Sequence, residues 1–293
     1  MKLWSRSERE PSSSGVQAGR AVWPFVVLGL VAVASSIALS RGAGLDALDP
    51  TLRLAPPSLD HWLGTDSLGR DLLGRLIKGT AVSLAVAGST AACALLIGAP
   101  LGVCAGYFGG AFDLAIRRFA DGLSALPRIP VLLFVSAVDW GRSVPAIAAL
   151  PSPLFEIVKL VIVLLPFAWV GFFRLARTTA RSARERELVI AARAIGCSES
   201  RILLVHVLPL AIPPMLIAST QAIADLILYE STLSYLGFGV PPPFPSLGTM
   251  LSAHLGDLER APLIVLAPGL MSLVLVASLF ALGNEAARLG ARA

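Results

Sequence analysis

The chain has 293 residues, of which 55% are hydrophobic and only 15% charged, with a mean hydropathy of +0.76. A water-soluble domain carries about 25% charged residues, so the composition excludes an ordinary soluble globule and points to an all-α, multi-pass membrane protein. The net charge of +5 fits loops held on the cytoplasmic side of a membrane, and without a basic–aromatic platform it gives no reason to expect nucleic acid as a partner.

Residues 1–20 are polar and carry Lys2, Arg6, Arg9 and Arg20, which reads as a disordered cytoplasmic tail. The apolar run Ala21–Leu39 is long enough to cross a bilayer at about 1.5 Å per residue, and is expected to be a retained span rather than a cleaved signal. Residues 41–80 are mixed and proline-containing. Within "GTDSLGRDLLGRLIKG", Leu68, Leu72, Leu73 and Leu76 recur at helical spacing, and Asp71 and Arg75 stand four apart. That pattern predicts a short amphipathic helix on the external membrane surface, paired through Asp71 and Arg75. Asp66 and Asp71 match no calcium loop and read as caps and ion-pair partners.

Val82–Val103 and Ile157–Leu175 are clear spans. The run 119–138 between them is interrupted by Asp121, Pro127, Arg128 and Pro130. Counting it as a span places the densest arginine cluster, Arg174–Arg201, on the inside together with the basic N-terminal tail. Leu210–Leu228 and Pro262–Leu282 complete six spans with both termini cytoplasmic. The resulting division is a tail over 1–20, a first span and external segment over 21–80, a core over 81–284 and a short cytoplasmic tail over 285–293. Cys93, Cys104 and Cys197 form no paired motif and read as small packing residues.

The arginine-rich loop has internal order. Leu188, Ala191, Ala192 and Ile195 share one helical face, flattened by the two alanines, with Arg184, Glu187 and Arg193 mostly elsewhere. Gly196 ends that helix as a C′ glycine. Ser198 is placed to cap the next helix, and Glu199 suits its positive end. That helix starts near Ile202 and runs into Pro209, Pro213 and Pro214. The result is a helix–turn–helix on the cytoplasmic face, suited either to docking a partner or to anchoring the topology.

"AARAIG" followed by "HVLP" resembles the EAA loop of ABC-importer permeases. Ala191, Ala192, Gly196, Leu208 and Pro209 fall in its register, while Ile190 takes the glutamate position and His206 the isoleucine position. "HWLGTDSLGRDLLGRLIKG", "ESTLSYLGFGVPPPFPSLGTML" and Ala267-Pro268-Gly269-Leu270 resemble further segments of one branch, the second permease of dipeptide, oligopeptide and nickel importers, with Leu247 in place of its tryptophan. The resemblance covers most of residues 60–283. The stretch Asp139–Glu156 is longer than that family usually has there.

The resemblance implies a type I ABC-importer permease fold in a bacterial cytoplasmic membrane. It also implies a second homologous permease as a heterodimer partner, two separate ATPase subunits and an extracytoplasmic substrate-binding protein. Its coupling loop would span 177–209, with Ala191, Ala192, Arg193, Gly196, Ser198, Glu199, Leu208 and Pro209 seated against the ATPase. The residues agree with a separate ATPase: the chain contains no GxxxxGK[ST], and its lysines are Lys2, Lys78 and Lys159. His61, His206 and His254 are scattered, so neither catalysis, metal nor cofactor is expected. Asp225 and Glu230 fall in or near the fifth span, where a charge usually faces a cavity or a partner, and are the candidate pore residues. Gly237, Gly239 and Pro241–Pro245 predict a rigid external turn, either a binding-protein contact or a plain loop. The rival reading is a secondary transporter working without an ATPase; it would carry inverted repeats, and none is evident.

Overall fold

Asp71 opens the first long helix, because its carboxylate accepts the Gly74 N–H at 2.6 Å and satisfies a donor that the helix cannot. The computed structural model describes residues 48–144 and 149–290, with Pro24 and Gly29 besides. The tail 1–20, the body of the expected span Ala21–Leu39 and residues 291–293 lie outside the described residues. Helix α1, Leu72–Phe108, is one continuous helix. The separate amphipathic helix expected around Leu68–Leu76 is therefore not formed: residues 64–71 are a turn, and Leu72 and Leu76 are buried parts of the span itself.

The expected Asp71–Arg75 pair is also replaced. Asp71 faces His61 Nδ1 at 3.1 Å, and Arg75 turns its Nε toward Asp66 at 3.5 Å. Asp66 is fully buried and accepts the N–H groups of Leu68 (2.8 Å) and Arg70 (3.0 Å) and the Arg70 Nε (2.7 Å). A basic side chain can thus sit near the start of an apolar helix because its counter-charge is folded over it.

The interrupted run 119–138 is not a straight span. It is shared by α2, Gly110–Ala125, and α3, Arg128–Ser136, which meet at 88°. Pro127 explains the break, since the residue before a proline is pushed out of the helical region and Leu126 is extended at ψ 140°. A short helix α4, Trp140–Ser143, follows, and then α5, Ser152–Arg184. Next come α6, Glu187–Ala194, and a single turn α7, Glu199–Ile202. Residues 203–207 form one wide π turn that leads into α8, Leu208–Tyr235. Pro209 has no N–H to donate and its ring crowds the carbonyl four residues back, and the widened turn absorbs both. The chain ends with α9, Leu247–His254, and α10, Pro262–Gly290.

Among the described residues, four helical stretches are long and apolar enough to cross a membrane, and the bent α2–α3 pair makes a possible fifth. Helices α1 and α5 form the tightest pair. A Cβ on Gly98, Gly102 or Gly106 would collide with the carbonyls of Trp169, Phe173 or Arg177, so small residues every fourth position let the backbones touch. Phe172 and Phe173 fill the space beside this stripe.

The segment expected as an external turn leaves Gly237 and Pro241, Pro242 and Pro243 exposed, and its later residues fold back into the protein. Gly237, at φ +85°, closes α8 by a Schellman motif in which the Phe238 N–H reaches the Leu233 carbonyl at 2.8 Å and the Gly237 N–H the Ser234 carbonyl at 3.1 Å. Val240, Ser246 and Leu247 are buried, and Ser246 caps α9 reciprocally with Thr249.

Candidate functional site

The loop between α5 and α8 is built as a small rigid unit. Helix α6 ends in a second Schellman motif: the Cys197 N–H meets the Ala192 carbonyl at 3.1 Å, and the Gly196 N–H meets the Arg193 carbonyl at 3.1 Å. Gly196 sits at φ +84°, a conformation that costs a residue with a side chain strain, so the glycine expected as C′ has that role. Ser198 stands at the N-cap of α7, but its hydroxyl makes no capping bond and lies 3.4 Å from Ser200 Oγ. The second helix starts at Glu199, three residues before the expected position.

The expected apolar face divides between two sides. Val189 and Ala192 turn inward and pack with Ala180, Ala183 and Ile202. Leu188 and Ile195 are 61% and 81% exposed, with Ala191 exposed between them. Leu188, Ala191 and Ile195 therefore form the outward stripe, and Ala192 belongs to the inner contact.

Three side chains fasten this unit to the end of α1. Arg193 bonds both carboxylate oxygens of Glu199, at 2.9 and 3.2 Å, and donates to the Tyr107 hydroxyl at 3.0 Å. Tyr107 in turn donates to Glu199, and its ring lies under the guanidinium at 5.9 Å. The bonds to Glu199 and then to Tyr107 hold the Arg193 guanidinium even further up its basic range, so it stays charged at any working pH. Arg184 adds a bond to the Tyr107 carbonyl at 3.0 Å. Sequence reasoning missed Tyr107, which lies 86 residues from Arg193 in an otherwise apolar span. Leu208 and Pro209 lie beyond the wide turn, at the start of α8.

A second feature lies between α3, α5 and α8. Arg128, Leu132, Leu164, Phe167, Asp225 and Tyr229 line a cavity of about 190 Å³. The Arg128 Nη1 donates to the Tyr229 hydroxyl at 3.1 Å, while its charge also acts on Asp225. The cavity therefore offers a cation, an acid and a hydroxyl on mostly apolar walls. Glu230 does not line it. That carboxylate is fully buried on the other side of α8, accepting from Ser83 Oγ at 2.7 Å and Ser234 Oγ at 2.6 Å.

The comparisons with known proteins bear on the whole of this arrangement. The family model described as the inner membrane component of binding-protein-dependent transport systems matches residues 98–284. The dipeptide transport system permease protein DppC of Alkalihalophilus pseudofirmus is 32% identical over 266 residues, covering 89% of this chain and 83% of its own. The oligopeptide transport system permease protein OppC of Mycobacterium tuberculosis is 34% identical over 232 residues, covering 79% and 76%. A chain from an inward-facing structure of the MetNI methionine ABC transporter superposes with a TM-score of 0.56 at 18% identity, covering 74% of this chain and 97% of its own, which is a likeness of fold. With a family match across most of the helical core and relatives aligned over most of their length, the chain belongs to the inner-membrane permeases of binding-protein-dependent ABC transport systems.

Proposed function

We propose that this permease forms half of the translocation path for di- or oligopeptides, paired with a second, homologous but different permease. An extracytoplasmic binding protein delivers the substrate, and two ATPase subunits drive its passage. Both termini and the loop 177–209 lie on the cytoplasmic side, where ATP-driven closure of the ATPases moves α6 and, through it, the spans. The observation that carries this reading is the outward stripe Leu188–Ala191–Ile195 on a helix whose other side is fixed by Tyr107, Arg193 and Glu199. An exposed apolar stripe on a braced helix suits a docking surface, because a partner can both cover it and push against it.

Within the path, Asp225 and Arg128 have the charges to meet a peptide's ammonium and carboxylate. Glu230 serves as an internal tie between α1 and α8. The relatives' printed names and the charge pair in the cavity support peptides over other solutes. The substitution Ile195→Asp tests the docking. It is expected to abolish co-purification of the ATPase and peptide uptake while the permease remains folded in the membrane. Retained ATPase with full uptake would refute α6 as the docking element. Asp225→Asn tests the path: uptake of peptides with a free amino terminus is expected to fall more than that of N-acetylated ones, and an equal change for both would remove Asp225 from substrate contact.

A further inference from the structure

A polar cavity of about 490 Å³ opens where the end of α1, the start of α2 and the end of α5 converge. Gly106, Gly109, Asp113, Arg177, Arg181, Arg184 and Glu185 are among the residues that line it. Arg177 is committed to Asp113 by two parallel bonds, one of them 2.6 Å long. Arg184 spends one Nη on the Tyr107 carbonyl. Three guanidinium groups face two carboxylates here, and the charge of Arg117 reaches Asp113 as well, so the lining has a positive excess. Gly109 and Gly110 adopt φ +68° and +70°, and a Cβ on either would meet nothing within 4 Å, so this side of the cavity is open. On each side of that glycine pair stands an exposed aromatic ring, Phe108 at 57% and Phe112 at 47% exposure.

We propose that this cavity binds the phosphodiester headgroup of an anionic phospholipid, held by Arg181 and Arg184, with the acyl chains lying along Phe108 and Phe112. Guanidinium groups are matched to phosphate oxygens in geometry as well as charge, and a basic recess at the end of membrane helices is where a lipid phosphate resides. Free inorganic phosphate offers the same oxyanion, but it would leave the apolar flank unused. The proposal requires that α1 and α5 lie in a membrane, and is independent of peptide transport or ATPase docking.

The test is a lipid titration of the full-length chain in neutral detergent, followed by thermal unfolding. Phosphatidylglycerol is expected to raise the midpoint saturably, and phosphatidylcholine and inorganic phosphate to leave it in place. Arg181→Gln is expected to weaken the apparent phosphatidylglycerol affinity about fivefold, the contribution of one basic residue near an anionic surface. Arg186→Gln, outside the cavity lining, should leave it unchanged. Equal shifts with phosphatidylcholine, a matching shift with inorganic phosphate, or an unaltered affinity in Arg181→Gln would each overturn the proposal. Native mass spectrometry of the wild-type chain gives a reading that needs no variant: selective retention of phosphatidylglycerol supports the site, and unselective retention refutes it.

Discussion

His254 has almost no access to water, with Asp66 at 4.0 Å from its Nε2 and Asp257 at 3.8 Å from its Nδ1. Burial pushes the imidazole down, Asp66 and Asp257 pull it up, Arg75 and Arg70 push it down again, and the balance is a lowered pKa. The neutral ring is therefore the form the fold prefers. Its stabilisation is complete above the ordinary imidazole pKa of about 6.5 and is lost as the pH falls below it. Thermal unfolding in detergent is expected to shift to lower temperature between about pH 7.5 and 5.5, and His254→Asn should flatten that dependence. Burial acts on Asp66 in the opposite sense and would raise it, but the N–H groups of Arg70 and Leu68, with the Arg70 guanidinium, outweigh it and hold this carboxyl low. Asp66 thus remains an anion across that range and is not the source of the change. Glu230 makes a different residue-level prediction. Glu230→Ala removes the acceptor of two buried hydroxyls, Ser83 and Ser234, at a cost of about 1–3 kcal/mol for each group left unsatisfied. A large drop in unfolding temperature with little change in substrate selectivity is expected; a selectivity change in a fully stable variant would return Glu230 to the path.

Among the elements, the α1–α5 pair is the one whose geometry allows least change. Gly102→Val would drive a branched side chain into the Phe173 carbonyl, and size-exclusion chromatography of this variant is expected to show no monodisperse folded protein. Gly88→Val, at a position where a Cβ meets nothing within 4 Å, should behave as wild type. Much at this scale was legible in the sequence. The apolar windows around Val82–Val103, Ile157–Leu175, Leu210–Leu228 and Pro262–Leu282 all fall inside observed helices, because length and hydropathy alone decide them. Gly196 was legible as well, since a turn at positive φ selects glycine. What failed has identifiable causes. Periodicity placed Leu72 and Leu76 on a separate surface helix because it cannot show that Asp66 folds over Arg75 and lets the span begin early. It grouped Ala192 with Leu188, Ala191 and Ile195 because a wheel of small apolar residues does not tell which side meets the protein. Tyr107 was invisible because its partners are distant in sequence, and the 88° bend at Pro127 could be suspected but not measured.

For the whole molecule, the proposed topology is directly testable with a native thiol. Cys197 lies half-buried beside Gly196, and Cys93 and Cys104 lie within α1. In a chain with both α1 cysteines replaced by alanine, a membrane-impermeant maleimide is expected to label Cys197 in inside-out vesicles and not in intact cells. Labelling in intact cells would invert the orientation and leave α6 without access to an ATPase.

The glycine stripe between α1 and α5 also has a mechanical consequence. Where two backbones meet through glycines, with only the first side-chain carbons of Phe172 and Ala176 beside them, little at the contact can compress, although Pro100 and Pro166 each remove one hydrogen bond inside α1 and α5. At 37 residues α1 is about 55 Å long, taking 1.5 Å per residue. Its far end is tied through Tyr107 to Arg193 and Glu199, so under the proposed coupling a push on α6 would act on the end of α1. With such a lever arm, a tip displacement of about 5 Å corresponds to a rotation of only about 5°. Under that coupling, a stroke of this size would be met by a tilt of α1 together with α5, which leaves the glycine contact between them closed.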